Sequence, residues 1–194
     1  MGLTVEKCLQ AWTNSLRQMN SKADIVFFGD SLTYYGDFAT IFPEKVVCNL
    51  GLRGDTIQGL IDRVGQVKLL EPQKVFLMSG INDVASLSLE LFEKQYESLL
   101  RILIEQLHGA DILVQSLLPV NDVEFIISCT NKQIIERNAV IHNISIRNGL
   151  QFLNLFPMYV KDGVLPMEET LDGIHLLPEA YHKWKSVLLS NSNL

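Results

Sequence analysis

Ser31 stands where an apolar run, Ile25-Val26-Phe27-Phe28, breaks into a small polar turn, Gly29-Asp30-Ser31-Leu32-Thr33. Far along the chain, Asp172-Gly173-Ile174-His175 pairs a carboxylate with an imidazole. Between them lie Asn49-Leu50-Gly51-Leu52-Arg53-Gly54-Asp55-Thr56 and Gly80-Ile81-Asn82-Asp83. A hydroxyl, an imidazole beside a carboxylate, a glycine amide and a side-chain amide are the parts that acyl transfer requires.

A serine hydroxyl is a poor nucleophile until a base within hydrogen-bond reach takes its proton. Of the four histidines, His108 falls at the end of a helical pattern, and His142 and His182 fall within such patterns. His175 lies in a loop, three residues after Asp172. There Asp172 can accept from one ring nitrogen while the other takes the serine proton. The amides of Ser31 and Gly54 and the side-chain NH₂ of Asn82 are the candidate donors to a developing oxyanion. Each residue also has a plainer reading. Ser31 could cap a helix, Asp172 could shape a turn, Gly54 could open a helix and Asn82 could close a turn. Asp30, Asn49, Asp55 and Asp83 are expected to brace the loops by bonding backbone amides.

Elements that could hold these residues follow from the patterning. Short apolar runs at 25–28, 46–49, 75–79, 112–117 and 152–155 alternate with helical periodicity, as in a parallel sheet covered on both faces. Helices are expected over 3–19, from a Ser88 cap to His108, and from a Thr130 to Gln133 capping box to about Gly149. A last helix should run from a first turn at Pro178-Glu179 to Leu188. Less regular helix is expected over 56–70, where Gly59 and Gly65 interrupt the pattern. The best description is α/β, one three-layer α/β/α domain over 1–194 built on a five-stranded parallel sheet. In such sheets ligands bind beyond the carboxyl ends of the strands. Ser31, Gly54 and Asn82 each follow a separate strand toward that edge.

With 47% hydrophobic and 20% charged residues, the composition is that of an ordinary globular chain. A net charge of −6 without a basic cluster argues against nucleic acid as partner. No run approaches the ~18 apolar residues of a membrane span. Cys8, Cys48 and Cys129 are scattered and odd in number, so free thiols are expected rather than a disulfide framework or a thiolate metal site. The N-terminus shows no basic segment followed by an apolar one. A cytoplasmic location is therefore expected, or a periplasmic or secreted one if a signal peptide has been removed. A homodimer is compatible with all of this.

Taken together, the four segments resemble the blocks of the SGNH (GDSL-type) hydrolase family. Phe28-Gly29-Asp30-Ser31-Leu32-Thr33 resembles the first block with its nucleophile, and Asn49 to Thr56 the second, whose glycine serves the oxyanion. Gly80 to Asp83 resembles the third, with the oxyanion asparagine, and Asp172 to His175 the last. Within the family the chain is most similar to the branch of platelet-activating-factor acetylhydrolase catalytic subunits. The resemblance implies a flavodoxin-like sheet and ester hydrolysis without metal or cofactor, on a small-molecule, glycan or lipid ester. One departure is Leu177, which precedes Pro178 where relatives often carry a polar cap. The segment 121–129 varies in the family and is expected to shape the substrate pocket. A serine esterase for short, acetyl-like acyl groups is the reading this supports, with lysophospholipase or thioesterase as alternatives. A non-catalytic phosphate-, flavin- or carbohydrate-binding domain is the alternative of another class.

Overall fold

A computed structural model describes Thr13 and residues 22–191. Five strands form one parallel sheet: β1 (Ile25–Gly29), β2 (Val47–Gly51), β3 (Lys74–Met78), β4 (Asp111–Gln115) and β5 (Gln151–Leu153). Their spatial order is β2-β1-β3-β4-β5. This is the doubly wound order, in which the crevice beyond β1 and β3 lies at a topological switch point. In register, Gly29 pairs with Gly51 on one side and with Met78 on the other, so three strands end level. The loops after them open side by side.

Alternate side chains feed two cores. Val26, Phe28, Leu50, Val75, Leu77, Ile112 and Val114 face one, with α2 (Ile57–Leu69), α3 (Leu89–Gln106) and α4 (Asn131–Arg147) packed over them. Ile25, Phe27, Phe76, Met78 and Leu113 face the other, under Phe38, Tyr159 of the short α5 (Phe156–Tyr159) and the buried Trp184 and Leu188 of α6 (Tyr181–Asn191). Both faces of the sheet are therefore apolar, the condition that makes its strands read as continuous hydrophobic runs. The expected three-layer α/β arrangement is what the chain adopts. The expected helix over 3–19 lies outside the described residues.

Boundaries moved for local reasons. β3 begins at Lys74, which reads as polar in the chain. In the fold its backbone pairs with Ile25 and Asp111, and its amine sits 3.8 Å from the Asp111 carboxylate. β2 runs on to Gly51 because its last two residues pair with Phe28 and Gly29. The expected break in 56–70 does not occur. Thr56 caps α2 by accepting from the amide of Gly59, and a Cβ on Gly59 would come within 1.9 Å of an Asp55 carboxylate oxygen. That glycine makes room for Asp55 and leaves the helix unbroken. The final helix also starts later than expected, since Pro178–Ala180 is a 3₁₀ turn ahead of α6. The Thr130 and Gln133 capping box and the Ser88 cap form as expected.

Arg63 of α2 ties this edge together from beneath. Its side chain is almost fully buried and donates to Asp55 Oδ2 at 2.7 Å, to the Leu50 carbonyl at 2.8 Å and to the Gly29 carbonyl at 2.9 Å. One guanidinium thus joins the ends of β1 and β2 to the loop that leads into α2. Removing one partner of a buried pair leaves an uncompensated charge and typically costs about 3–5 kcal/mol. Arg63→Met should therefore lower unfolding stability by that order in urea titration. A loss under about 1 kcal/mol would show that the guanidinium is dispensable to the edge.

Candidate active site

The first component is α1 (Ser31–Tyr34), a single helical turn at the end of β1. Asp30 caps it, its Oδ1 accepting from the Leu32 amide at 3.0 Å. Ser31 occupies the first helical position, where the backbone N–H has no partner within the helix. Asn49 of β2 holds this turn in place. Its Nδ2 donates to the carbonyls of Thr33 at 2.8 Å and Gly36 at 3.0 Å, and its Oδ1 accepts from the Gly51 amide.

The second component is the loop 170–177. Thr170 is buried, and its hydroxyl donates to the His175 carbonyl and accepts from the Gly173 amide. The Asn121 backbone N–H donates to the Gly173 carbonyl at 2.8 Å. Gly173 has φ +82°, and a Cβ there would lie 2.8 Å from Phe125 and Ile127, so only glycine fits without strain. Asp172 Oδ1 accepts from the amides of Ile174 and His175, closing a tight turn. The aspartate is therefore both the turn residue and the partner of the imidazole. The two readings of Asp172 describe one residue doing both.

These components meet. His175 Nε2 lies 2.9 Å from Ser31 Oγ, and His175 Nδ1 lies 2.5 Å from Asp172 Oδ2. A proton on Nδ1 pointing at the carboxylate leaves Nε2 bare to accept from the serine hydroxyl, the tautomer a base requires. Burial pushes the Asp172 carboxyl up, but its bonds from the His175 ring and from the His175 and Ile174 amides outweigh this and hold its pKa below the ordinary value. Ser31 is 6% exposed, so its hydroxyl has little competing water.

On the other side of Ser31 stand the remaining candidates. Leu52 to Asp55 form a turn closed by the Asp55 amide donating to the Leu52 carbonyl at 3.2 Å. Gly54 at its third position has φ +73°, a conformation that disfavours any side chain. Asn82, in the turn after β3, donates one amide hydrogen to the Asp55 carbonyl at 2.7 Å. That bond orients the carboxamide and leaves its second N–H for a ligand. Among the described residues, no acceptor takes the backbone N–H of Ser31 or of Gly54.

Behind the site lies a buried acidic group that opposes its own ionisation. Asp83 Oδ2 accepts from the Ile57 amide at 3.0 Å, and Asp55 Oδ1 accepts from the Thr56 amide. Both brace loops, as Asp30 and Asn49 do. Burial pushes the Asp30 carboxyl up to about 7, against the Leu32 bond, with repulsion from Asp55 and Asp83 adding to the rise. Asp83 is raised by burial to about 6, and Asp55 is raised by burial against the pull of Arg63. Asp30 Oδ2 and the hydroxyl of Tyr96 are both buried without a hydrogen-bond partner among the described residues.

Several contributors carry no motif. Arg63, Thr170 and Asn121 act through backbone carbonyls and amides, which residue spacing does not reveal. Tyr35 packs edge-on against His175, ring centroids 5.4 Å apart, and the Tyr181 hydroxyl donates to the Leu32 carbonyl at 2.7 Å. Tyr35, Ile41, Pro178 and Tyr181 also line a cleft of about 240 Å³ that carries Asp37 and Lys185. From the segment 121–129, Phe125 and Ile127 pack against Gly173. Cys48 and Cys129 are free thiols, one partly and one fully buried, while Cys8 lies outside the described residues. No described helix is long and apolar enough to cross a membrane.

Comparison with known proteins bears on the family and the fold. The model of the GDSL-like lipase/acylhydrolase family matches residues 27–183, and the chain belongs to that family. Solved structures share the fold at low identity. A Streptococcus pneumonia protein whose name refers to platelet activating factor superposes with a TM-score of 0.80 at 21% identity, over 98% of this chain and 99% of that one. A GDSL-like lipase from Bacteroides thetaiotaomicron gives 0.77 at 20%, over 94% and 95%. The acetyl xylan esterase AlAXEase gives 0.73 at 20%, over 88% and 99%. No curated protein sequence matches the chain.

The acidic group makes a prediction about pH. A carboxyl whose pKa is higher folded than unfolded binds more protons in the native state, so folding weakens as pH rises from the unfolded value toward the folded one. For Asp30 that window runs from 3.8 to about 7. Asp30→Asn keeps the cap acceptor but cannot ionise. Urea midpoints should show the variant gaining clearly more stability over the parent at pH 7.5, above that window, than at pH 4.5, near its lower end. The same difference at both pH values would mean that Asp30 carries no such penalty.

Proposed function

We propose that this acylhydrolase-family chain is a serine esterase acting on short-chain, acetyl-like esters. Ser31 Oγ attacks the ester carbonyl as His175 Nε2 takes the hydroxyl proton. Asp172 stabilises the imidazolium that forms. The carbonyl oxygen, now an anion, receives hydrogen bonds from the Ser31 and Gly54 amides and from the free N–H of Asn82. Collapse breaks the bond to the alcohol oxygen, which leaves with the proton from His175. Water then attacks the acyl-serine, giving its proton to His175, and the acid departs as Ser31 recovers its hydrogen.

The observation that carries this reading is one imidazole bridging Ser31 and Asp172 through its two nitrogens, at 2.9 and 2.5 Å. The acetyl preference draws support from one structural neighbour, an acetyl xylan esterase. A lysophospholipase or thioesterase would use the same groups. A phosphate or flavin cradle fits less well, because α1 has four residues and its N-terminus is already capped by the Asp30 carboxylate.

Purified protein should hydrolyse 4-nitrophenyl acetate. Ser31→Ala and His175→Ala should each lower kcat by about 10⁴ or more, and the double variant should lose little beyond either single one, because the groups act as a unit. His142→Ala, in a helix away from the site, serves as the reference. Retention of activity by Ser31→Ala would exclude this mechanism.

A further inference from the structure

Arg53 projects from the turn beside Gly54 and is exposed. Its guanidinium carbon lies over the ring of Tyr35, 5.7 Å from the centroid. Tyr35 in turn packs edge-on against His175. Two contacts therefore connect a cation to the imidazole edge of the site. Among the described residues, Arg53 has no carboxylate within ion-pairing distance. Arg63, Arg101, Arg137 and Arg147 all have one.

That difference has an electrostatic meaning. The interior behind Ser31 holds Asp30, Asp55 and Asp83 against one buried cation, Arg63, whose donors are already spent on Asp55 and two carbonyls. The chain as a whole carries −6. An anionic substrate would meet repulsion at this mouth unless a cation stood there to receive it. A guanidinium resting over an aromatic ring keeps its outward N–H groups free for a planar or tetrahedral oxyanion. The ring underneath restricts its rotamers, which reduces the entropy lost on binding.

Direction decides which part of the ester is selected. In the proposed reaction His175 hands its proton to the leaving oxygen, so the alcohol must lie against the imidazole. Tyr35 covers an edge of that imidazole and Arg53 covers Tyr35. The acyl oxygen, by contrast, points at Gly54 and Asn82. We infer that Arg53, on its Tyr35 platform, is a specificity-determining residue that selects esters whose alcohol part carries a carboxylate or phosphate. This rests on Ser31 and His175 acting as proposed above.

The test compares two chromogenic acetates, neutral 4-nitrophenyl acetate and anionic 5-acetoxy-2-nitrobenzoate, whose charge lies on the leaving phenol. The quantity read is the ratio of kcat/KM for the anionic ester to that for the neutral one. Arg53→Gln should lower this ratio about tenfold, the scale of one charge-assisted hydrogen bond. Arg53→Lys should restore part of it, and added salt should shrink the ratio in the parent protein. Arg101→Gln, the same charge change on the outer face of α3, should leave the ratio intact. An unaltered ratio in Arg53→Gln, or an equal fall in Arg101→Gln, would overturn the assignment of Arg53. Failure of the parent to hydrolyse either ester would instead overturn the esterase reading beneath it.

Discussion

Two atoms separated by 144 positions in the chain, His175 Nε2 and Ser31 Oγ, must stand at hydrogen-bond distance for the rest of the site to have chemical meaning. Neither side chain can secure that distance alone, because each sits in a short loop or turn. The sheet sets the position of Ser31 through the level ends of β1, β2 and β3. The loop 170–177 sets the position of His175 through Thr170, Asn121 and the Asp172 turn. Thr170 and Asp172 hold this loop with their side chains and Asn121 with its backbone N–H, all inside an apolar frame. Such bonds are worth little individually against water but are costly to break once buried. The site is therefore as rigid as the fold that surrounds it.

The electrostatics run the other way. Packing Asp30, Asp55 and Asp83 near one Arg63 leaves more acid than base in a poorly solvated region, and burial raises all three carboxyls. Each one nevertheless binds a backbone amide that shapes a loop: Leu32, Thr56 or Ile57. Loop geometry is obtained here at a cost in stability that grows with pH. This is the pattern expected where positioning of a reactive group outweighs local stability. Arg63 limits the cost by neutralising Asp55 while bonding the Leu50 and Gly29 carbonyls.

Much of this was legible in the chain. Apolar runs ending in Gly, Asp and Asn mark strands buried on both faces, and their alternation with helical periods implies the parallel sheet. Ser31, Gly54 and Asn82 stand out because small or polar residues follow those runs at the same sheet edge, and His175 because it lies in a loop three residues after Asp172. What stayed hidden depends on tertiary contact. Gly59 looks like a helix breaker until Asp55 is seen to need its space. Lys74 looks like a loop residue until its backbone pairs on both sides. Arg63 carries no signal in the chain, yet it is buried and spends its donors on Asp55 and two strand ends. Tyr35 carries no pattern, since its place comes from packing edge-on against His175, and Arg53, though inside the segment 49–56, is singled out only by lying over the Tyr35 ring.

The central claim is that Ser31 is the nucleophile and that His175 activates it. Treatment with a small fluorophosphonate followed by intact-mass and peptide mass spectrometry tests this without a chosen substrate. The account predicts one phosphonyl group per chain, located on Ser31, with ester hydrolysis lost in proportion to labelling and with labelling sharply slowed in His175→Ala. A chain that is inactivated while Ser31 stays unmodified, or that keeps hydrolysing esters with Ser31 fully labelled, would contradict it.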